Sequence, residues 1–333
     1  MTSFTIGARR RGIWMGAAVF LVAMALVAAA FRLAHNERQF ELDRWTARLQ
    51  ADGAQPLRMV NGWLMESRAA LRNVAVNPTV QIYLSQTALG AASPATPESE
   101  AQSAFLQSYV ASLGGRSPFA ASFNKSQSET GLAVLDAQHH VVAATPGYRP
   151  SPQRITSLAA QLSNGEAGPL ALQTPDGALV GFLTAVRPIQ GMLSAAPVGY
   201  VIAERRQDRN FWPAGGSLLA ADQGHESLVA NGPDRTISLV GSSLTSHKPL
   251  ADSGELQAAR APGQLQHKAD LTGEDALSLG LPVQATNWVL VETVPTSQAL
   301  AGVEARISNL LVILLLSLLA IILGVLLLWR HMT

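Results

Sequence analysis

The chain has 333 residues, 48% hydrophobic and 14% charged, with no cysteine and with 24 Lys+Arg against 23 Asp+Glu. A hydrophobic, charge-balanced chain is not disordered as a whole, and the lack of cysteine excludes a disulfide scaffold, a thiolate metal site and a thiol nucleophile. No basic stripe of the kind that binds nucleic acid is present.

Residues 1–11 carry Arg9, Arg10 and Arg11 with no acid before them. Residues 12–31 then run uncharged for 20 positions, and residues 307–329 do so for 23. Each run satisfies the roughly 20-residue requirement for a helix that spans a bilayer. Trp14 and Trp329 suit interfacial anchors, and the basic cluster together with Arg330 and His331 in residues 330–333 places both termini in the cytoplasm. A cleaved signal peptide ending near Ala28, Ala29 and Ala30 is the competing reading of the first run, whose length exceeds the usual apolar core of such signals. The expected location is a bacterial inner membrane, with the bulk of the chain periplasmic. Between the spans lie 275 residues holding 20 Lys+Arg and 23 Asp+Glu, net −3.

Residues 32–77 read as a helical stalk. Val60, Leu64, Leu71 and Val74, with Ser67, fall on one face, and Asn77-Pro78 supplies a stop. Gly53 and Pro56 predict a kink or break. A second helix is expected from Val80 to about Leu89, an exposed loop at 90–100 (GAASPATPESE), and a third helix over 101–113. The period then changes. GLAVLD at 131–136 and VVAA at 141–144 flank the turn AQHH as a hairpin. A short helix follows near Ile155 to Leu162, then strands over 177–189 and 197–204, giving a sheet of about five strands with helices on one face.

The order recurs in shortened form. A hairpin at 226–230 and 236–240 surrounds NGPDR, a helix is expected within 250–259, and strands at 276–284 and 287–294 close the set. The boundary falls near NFWPAGG at 210–216. Thr296 to Arg306 should form a helix leading without a loop into the second span, with Thr296 or Ser297 as N-cap.

GHESLVANGPDRTISLV, LPVQATNWVLVETVPTSQAL, LRNVAVNPTV, GLAVLDAQHHVVAAT and APVGYVIAE together resemble the double-Cache sensor regions of bacterial transmembrane receptors. Leu228 stands where that family often has an aromatic, and AQHH lacks its usual glycine. The resemblance implies an α+β fold in which two transmembrane helices flank the stalk and two tandem PAS-like antiparallel-sheet modules. The membrane-distal module takes 78–209 and the membrane-proximal one 210–296, with a connecting helix at 297–306.

The resemblance further implies a sensor, usually a homodimer, that binds a small ligand or periplasmic partner. It would transmit through the second span to a cytoplasmic module of histidine kinase, diguanylate cyclase or chemoreceptor type. Arg330 to Thr333 resembles the start of a HAMP relay, so the output is expected either in a longer receptor or in a separate partner. A structural protein such as a polysaccharide chain-length regulator is the alternative of another class, although strands prevail here and Pro295 is the sole proline after Leu290.

Chemistry-bearing motifs are sparse. HExxH, Gly-x-Ser-x-Gly, a Walker loop and GxGxxG are all missing, so neither catalysis nor a cofactor or metal is expected in this chain. His139-His140 reads as a solvated turn and Trp288 as core packing. Arg205, Arg206, Asp208 and Arg209 read as a linker. Tyr148, Arg149 and Arg154 follow the first hairpin and Arg187 ends a facing strand. Guanidinium groups bind carboxylates bidentately, so these four are the candidate ligand-binding residues, suited to an anion. GYRPSPQR lacks the aromatic-rich string of the family's amino-acid sensors.

Overall fold

The structure, a computed structural model, describes residues 4–88, 97–114, 130–174, 177–189, 196–206, 225–231, 236–241, 253–270 and 273–332. Residues 90–96 of the expected loop 90–100, most of NGPDR and the boundary NFWPAGG fall outside these residues, and residues 97–100 of that loop are helical, because Pro97 opens a helix.

Helix α1 runs from Phe4 to Ala75. Val60, Leu64, Ser67, Leu71 and Val74 are all buried, as the spacing predicts. Of the kink or break expected at Gly53 and Pro56, the break is not there: the helix runs through both. A proline in a helix interior costs about 3 kcal/mol. Leu49 and Val60, packed on either side of Pro56, hold the flanking turns in place. Gly53 has a reason of its own to be small: a Cβ there would strike Leu281 Cδ1 and come within 3.0 Å of Glu292 Cγ.

At the far end Val76 and Asn77 separate α1 from α2 (Pro78–Ala88), and Asn77 makes the turn's contacts. Its side-chain oxygen accepts from Thr79 N at 3.0 Å and its carbonyl from Gln81 N. Helix α3 covers Pro97–Gly114.

Two five-stranded antiparallel sheets follow, and they share one strand order. In the first, β1 (Gly131–Asp136), β2 (Val141–Ala144), β3 (Glu166–Thr174), β4 (Gly177–Val186) and β5 (Gly199–Arg206) lie in the order β2-β1-β5-β4-β3. In the second, β6 (His225–Asn231), β7 (Thr236–Gly241), β8 (Leu265–Ala269), β9 (Asp275–Pro282) and β10 (Trp288–Pro295) lie as β7-β6-β10-β9-β8. One short helix enters each set, α4 (Pro152–Ala159) in the first and α5 (Gly254–Arg260) in the second.

The edge strands β3 and β8 were not expected. β3 carries Gly168-Pro169, and its register against β4 shifts between Ala167 and Leu170, so it shows no clean alternation. β8 has only five residues, and its burial alternates weakly.

Helices cover both faces of the first sheet, not one. Leu132, Val134, Val180, Phe182, Val201 and Ala203 face α1, α2 and α3, while Ala133, Leu135, Leu183 and Ile202 face α4. The reason lies in the strands themselves, which are apolar at successive positions and need cover on each side. Leu228, Trp288 and Leu290 of the second sheet join the same core as Phe182 and α1, so one apolar core runs through both sheets. Trp288 is buried there, as expected.

After β10, α6 (Thr296–Ala299) is separated from α7 (Ala301–Met332) by the single residue Leu300. The capping expectation is corrected. Pro295 occupies the N-cap position, and Thr296 is buried with its hydroxyl lacking a hydrogen-bond partner, because it points inward. Helix α7 packs along α1. The apolar parts of both helices are long enough to cross a membrane, and their large side chains there, such as Phe20, Leu311 and Leu315, are exposed.

Candidate ligand-binding site

Each candidate residue owes its position to a local feature. The β1–β2 hairpin returns the chain to Thr145, whose carbonyl accepts from Tyr148 N at 3.0 Å in a tight turn. That turn drives Tyr148 beneath the sheet, where it is buried with Ile155 and Leu158 of α4. Pro152 opens α4 and fixes its first turn, with Arg154 in it.

Tyr148 and Arg154 converge on a residue that did not stand out in the sequence. Glu204 of β5 accepts from Tyr148 Oη at 3.0 Å and from Arg154 Nε at 3.0 Å, with its side chain 0% exposed and that of Arg154 17%. A buried carboxylate needs such donors, because an unpaired charge in a low dielectric is costly. Burial and the neighbouring Glu204 charge push the Tyr148 phenol well above its ordinary value. Within the cluster, a neutral phenol lies beside an ion pair. A lone acid ending the apolar strand GYVIAE was the available signal for it.

The other two arginines stand apart. Arg149 is exposed beside Tyr148. Arg187 lies just past the end of β4, six positions along from Gly181, the residue that pairs with Glu204. At about 3.3 Å per residue this is roughly 20 Å from the cluster. The four candidates thus form one tight cluster, one exposed neighbour and one distant group. Arg187 instead lines a depression of about 150 Å³ with Arg72, Gln81, Glu166 and Thr184.

Polar contacts also tie α1 to both sheets and to α7. Arg68 Nη2 donates to Gly168 O at 3.2 Å and to Ala285 O at 3.3 Å, bridging the two sheets. Arg72 donates to Glu166 Oε1 through Nε at 2.9 Å and Nη2 at 2.7 Å. Asn61 Oδ1 accepts from Gln284 N at 3.1 Å. Nearer the chain ends, Arg306 Nη1 lies 3.7 Å from Glu37 Oε2 and 4.0 Å from Glu41 Oε1.

In the β1–β2 turn, His140 Nδ1 lies 3.1 Å from Asp136 Oδ2 and is well exposed, while the His139 ring tilts against Tyr200. Among the described residues no three His, Asp or Glu side chains converge as metal ligands would.

No protein-family model matches the sequence, and no curated protein matches it. Solved structures do match. One is the ligand-binding domain of the Pseudomonas fluorescens chemoreceptor CtaA in complex with L-leucine, 15% identical, with a TM-score of 0.44, covering 80% of this chain and 99% of that one. Another is the ligand-binding domain of the Campylobacter jejuni chemoreceptor Tlp3 in complex with 4-methylisoleucine, 12% identical, with a TM-score of 0.47, covering 79% and 94%.

Proposed function

We propose that this chain is the sensor input of an inner-membrane receptor. The two apolar helices span the membrane in contact with lipid, both termini are cytoplasmic, and the two sheets are tandem PAS-like modules outside. A small ligand or periplasmic partner acts on the membrane-distal module, residues 78–209, and the change passes through α7 to a cytoplasmic signalling module, fused or separate. The receptor works as a homodimer. Arg149 and Arg187 are the guanidinium groups open to a ligand, whereas Tyr148 and Arg154 act by holding Glu204. No catalytic step is assigned to this chain.

The observation that carries this reading is the junction at Leu300. Strand β10 runs into α6 and then α7 with one residue between the two helices, and α7 lies against α1, which also supports both sheets. Displacement of the second sheet along α1 therefore becomes displacement of α7 against α1, and the first sheet is joined to the second through the core they share. Such a rigid two-element coupling is what a transmembrane signal needs.

Reporter fusions after Gly165 test the topology: an enzyme that works only outside the cytoplasm should be active there, and activity of a cytoplasm-requiring reporter would overturn the reading. Transmission is tested by joining residues 1–333 to a cytoplasmic kinase output and screening pools of small carboxylates. A compound that changes output should lose that effect when two glycines follow Ala301, because glycines weaken the helix at its base. Unaltered signalling from that insertion would refute the coupling.

A further inference from the structure

The depression holding Arg187 is separate from the Tyr148–Arg154–Glu204 cluster and is built of different elements. It lies where the corner between α1 and α2 meets the start of β3 and the end of β4. Its charges do not cancel. Arg72 and Arg187 contribute two guanidinium groups, and Glu166 one carboxylate. Arg187 is exposed and, among the described residues, makes no hydrogen bond or ion pair. At the neighbouring Gly165, φ is +85°, a conformation that disfavours any side chain. The flank of the Arg187 guanidinium is thereby left uncovered. Gln81 and Thr184 add neutral hydrogen-bonding groups to the walls.

The Arg72–Glu166 pair is exchangeable. Its side chains are 59% and 37% exposed, and both Arg72 contacts fall on a single oxygen of Glu166. Exposed ion pairs contribute little net stability, so an incoming anion can share or displace Glu166 at small cost. A volume of about 150 Å³ accommodates a molecule of about six non-hydrogen atoms, the size of benzene.

We propose that this groove binds a small carboxylate, with Arg187 as its anchor and Arg72 as a second donor released in part from Glu166. The site deepens the sensor reading and rests on it for its signalling role alone, since binding can be measured without any output. Arg72 is one helical turn from Arg68, which joins Gly168 of β3 to Ala285 between β9 and β10. Loosening Arg72 from Glu166 changes the tie between α1 and β3 beside the joint of the two sheets. This is a local electrostatic event placed where both sheets are held.

The test uses the full chain in nanodiscs of zwitterionic lipid, with lactate as probe and lactamide as a neutral control of the same size, followed by ligand-observed NMR. Lactate should bind with a Kd on the order of 1 mM, the strength about six heavy atoms can reach, and lactamide at least about tenfold more weakly. Arg187→Gln should abolish the difference between the two probes, whereas Arg58→Gln, a change at an exposed arginine elsewhere on α1, should preserve it. Unchanged circular dichroism of each variant shows that folding is intact. Equal binding of lactate and lactamide, or full lactate affinity in Arg187→Gln, overturns the site. Should the groove fail while the kinase fusion still responds to another compound, the sensor reading stands. Lactate binding with no response from that fusion would instead remove the groove's signalling role.

Discussion

The indole N–H of Trp45 donates to the carbonyl of Ala299 at 2.8 Å, joining positions 254 residues apart. Trp45 lies on α1 and Ala299 ends α6, just before the turn into α7. The bond fixes the base of α7 to the stalk at the point where a carbonyl at a helix end would otherwise lack a partner.

Trp45→Phe should keep most of the packing around Leu49 and Leu300 while losing this bond, at a cost of about 1 kcal/mol. The chain lacks cysteine, so a Glu37→Cys, Arg306→Cys pair gives a clean measurement. Cross-linking of the two thiols in membranes by a short bismaleimide, which spans more than a direct disulfide can, should be fast, and slower with Trp45→Phe added. An unchanged rate would show that the indole does not hold the two helices in register.

Removing the acid of the buried cluster should be severe. Glu204→Ala leaves the guanidinium of Arg154 and the phenol of Tyr148 without the acceptor they share, and breaking a buried ion pair costs about 3 to 5 kcal/mol. The combined change Glu204→Leu with Arg154→Met, which removes both charges, should recover much of that loss. Urea unfolding followed by tryptophan fluorescence measures both. A single substitution as stable as the parent would show that the cluster does not support the fold.

At Gly53 the constraint is space. Gly53→Val places branched carbons against Leu281 and Glu292, and overpacking of this kind costs about 1 to 3 kcal/mol. The midpoint of urea unfolding should fall accordingly. Wild-type stability in this variant would mean that α1 and the second sheet can move apart freely.

The raised phenol of Tyr148 has a definite sign. A group whose folded pKa lies above its unfolded one stabilises the fold at pH below the unfolded value, about 10 for tyrosine, and that contribution is lost as pH rises through the folded value. Absorbance titration of the four tyrosines should show one ionising last, together with unfolding, and Tyr148→Phe should remove that step. Four tyrosines titrating alike would contradict the burial.

Local patterns were enough to locate much of this molecule. The apolar stripe Val60, Leu64, Leu71 and Val74 identified the buried face of α1, because a helix repeats its face every 3.6 residues and the stripe is covered along its whole length. GLAVLD and VVAA gave the first hairpin at its observed bounds, since a polar turn between two apolar runs specifies strand pairing locally. The two uncharged runs likewise marked helices long and apolar enough to cross a membrane. Strands β3 and β8 were hidden, because an edge strand tolerates proline, a bulge or short length and need not alternate.

The grouping of the candidate residues was decided by tertiary structure. Tyr148 and Arg154 meet only because β5 carries Glu204 between them, some 50 residues later in the chain. Arg187 is separated from them by the length of a strand, which spacing along the sequence does not report. Continuity of α1 through Pro56 was decided in the same way, by packing on both sides that outweighs a local helix breaker. Periodicity reports which face of an element is buried. Which faces meet, and which charges they bring together, depends on long-range pairing, and for this chain that pairing decided how the candidate residues are grouped.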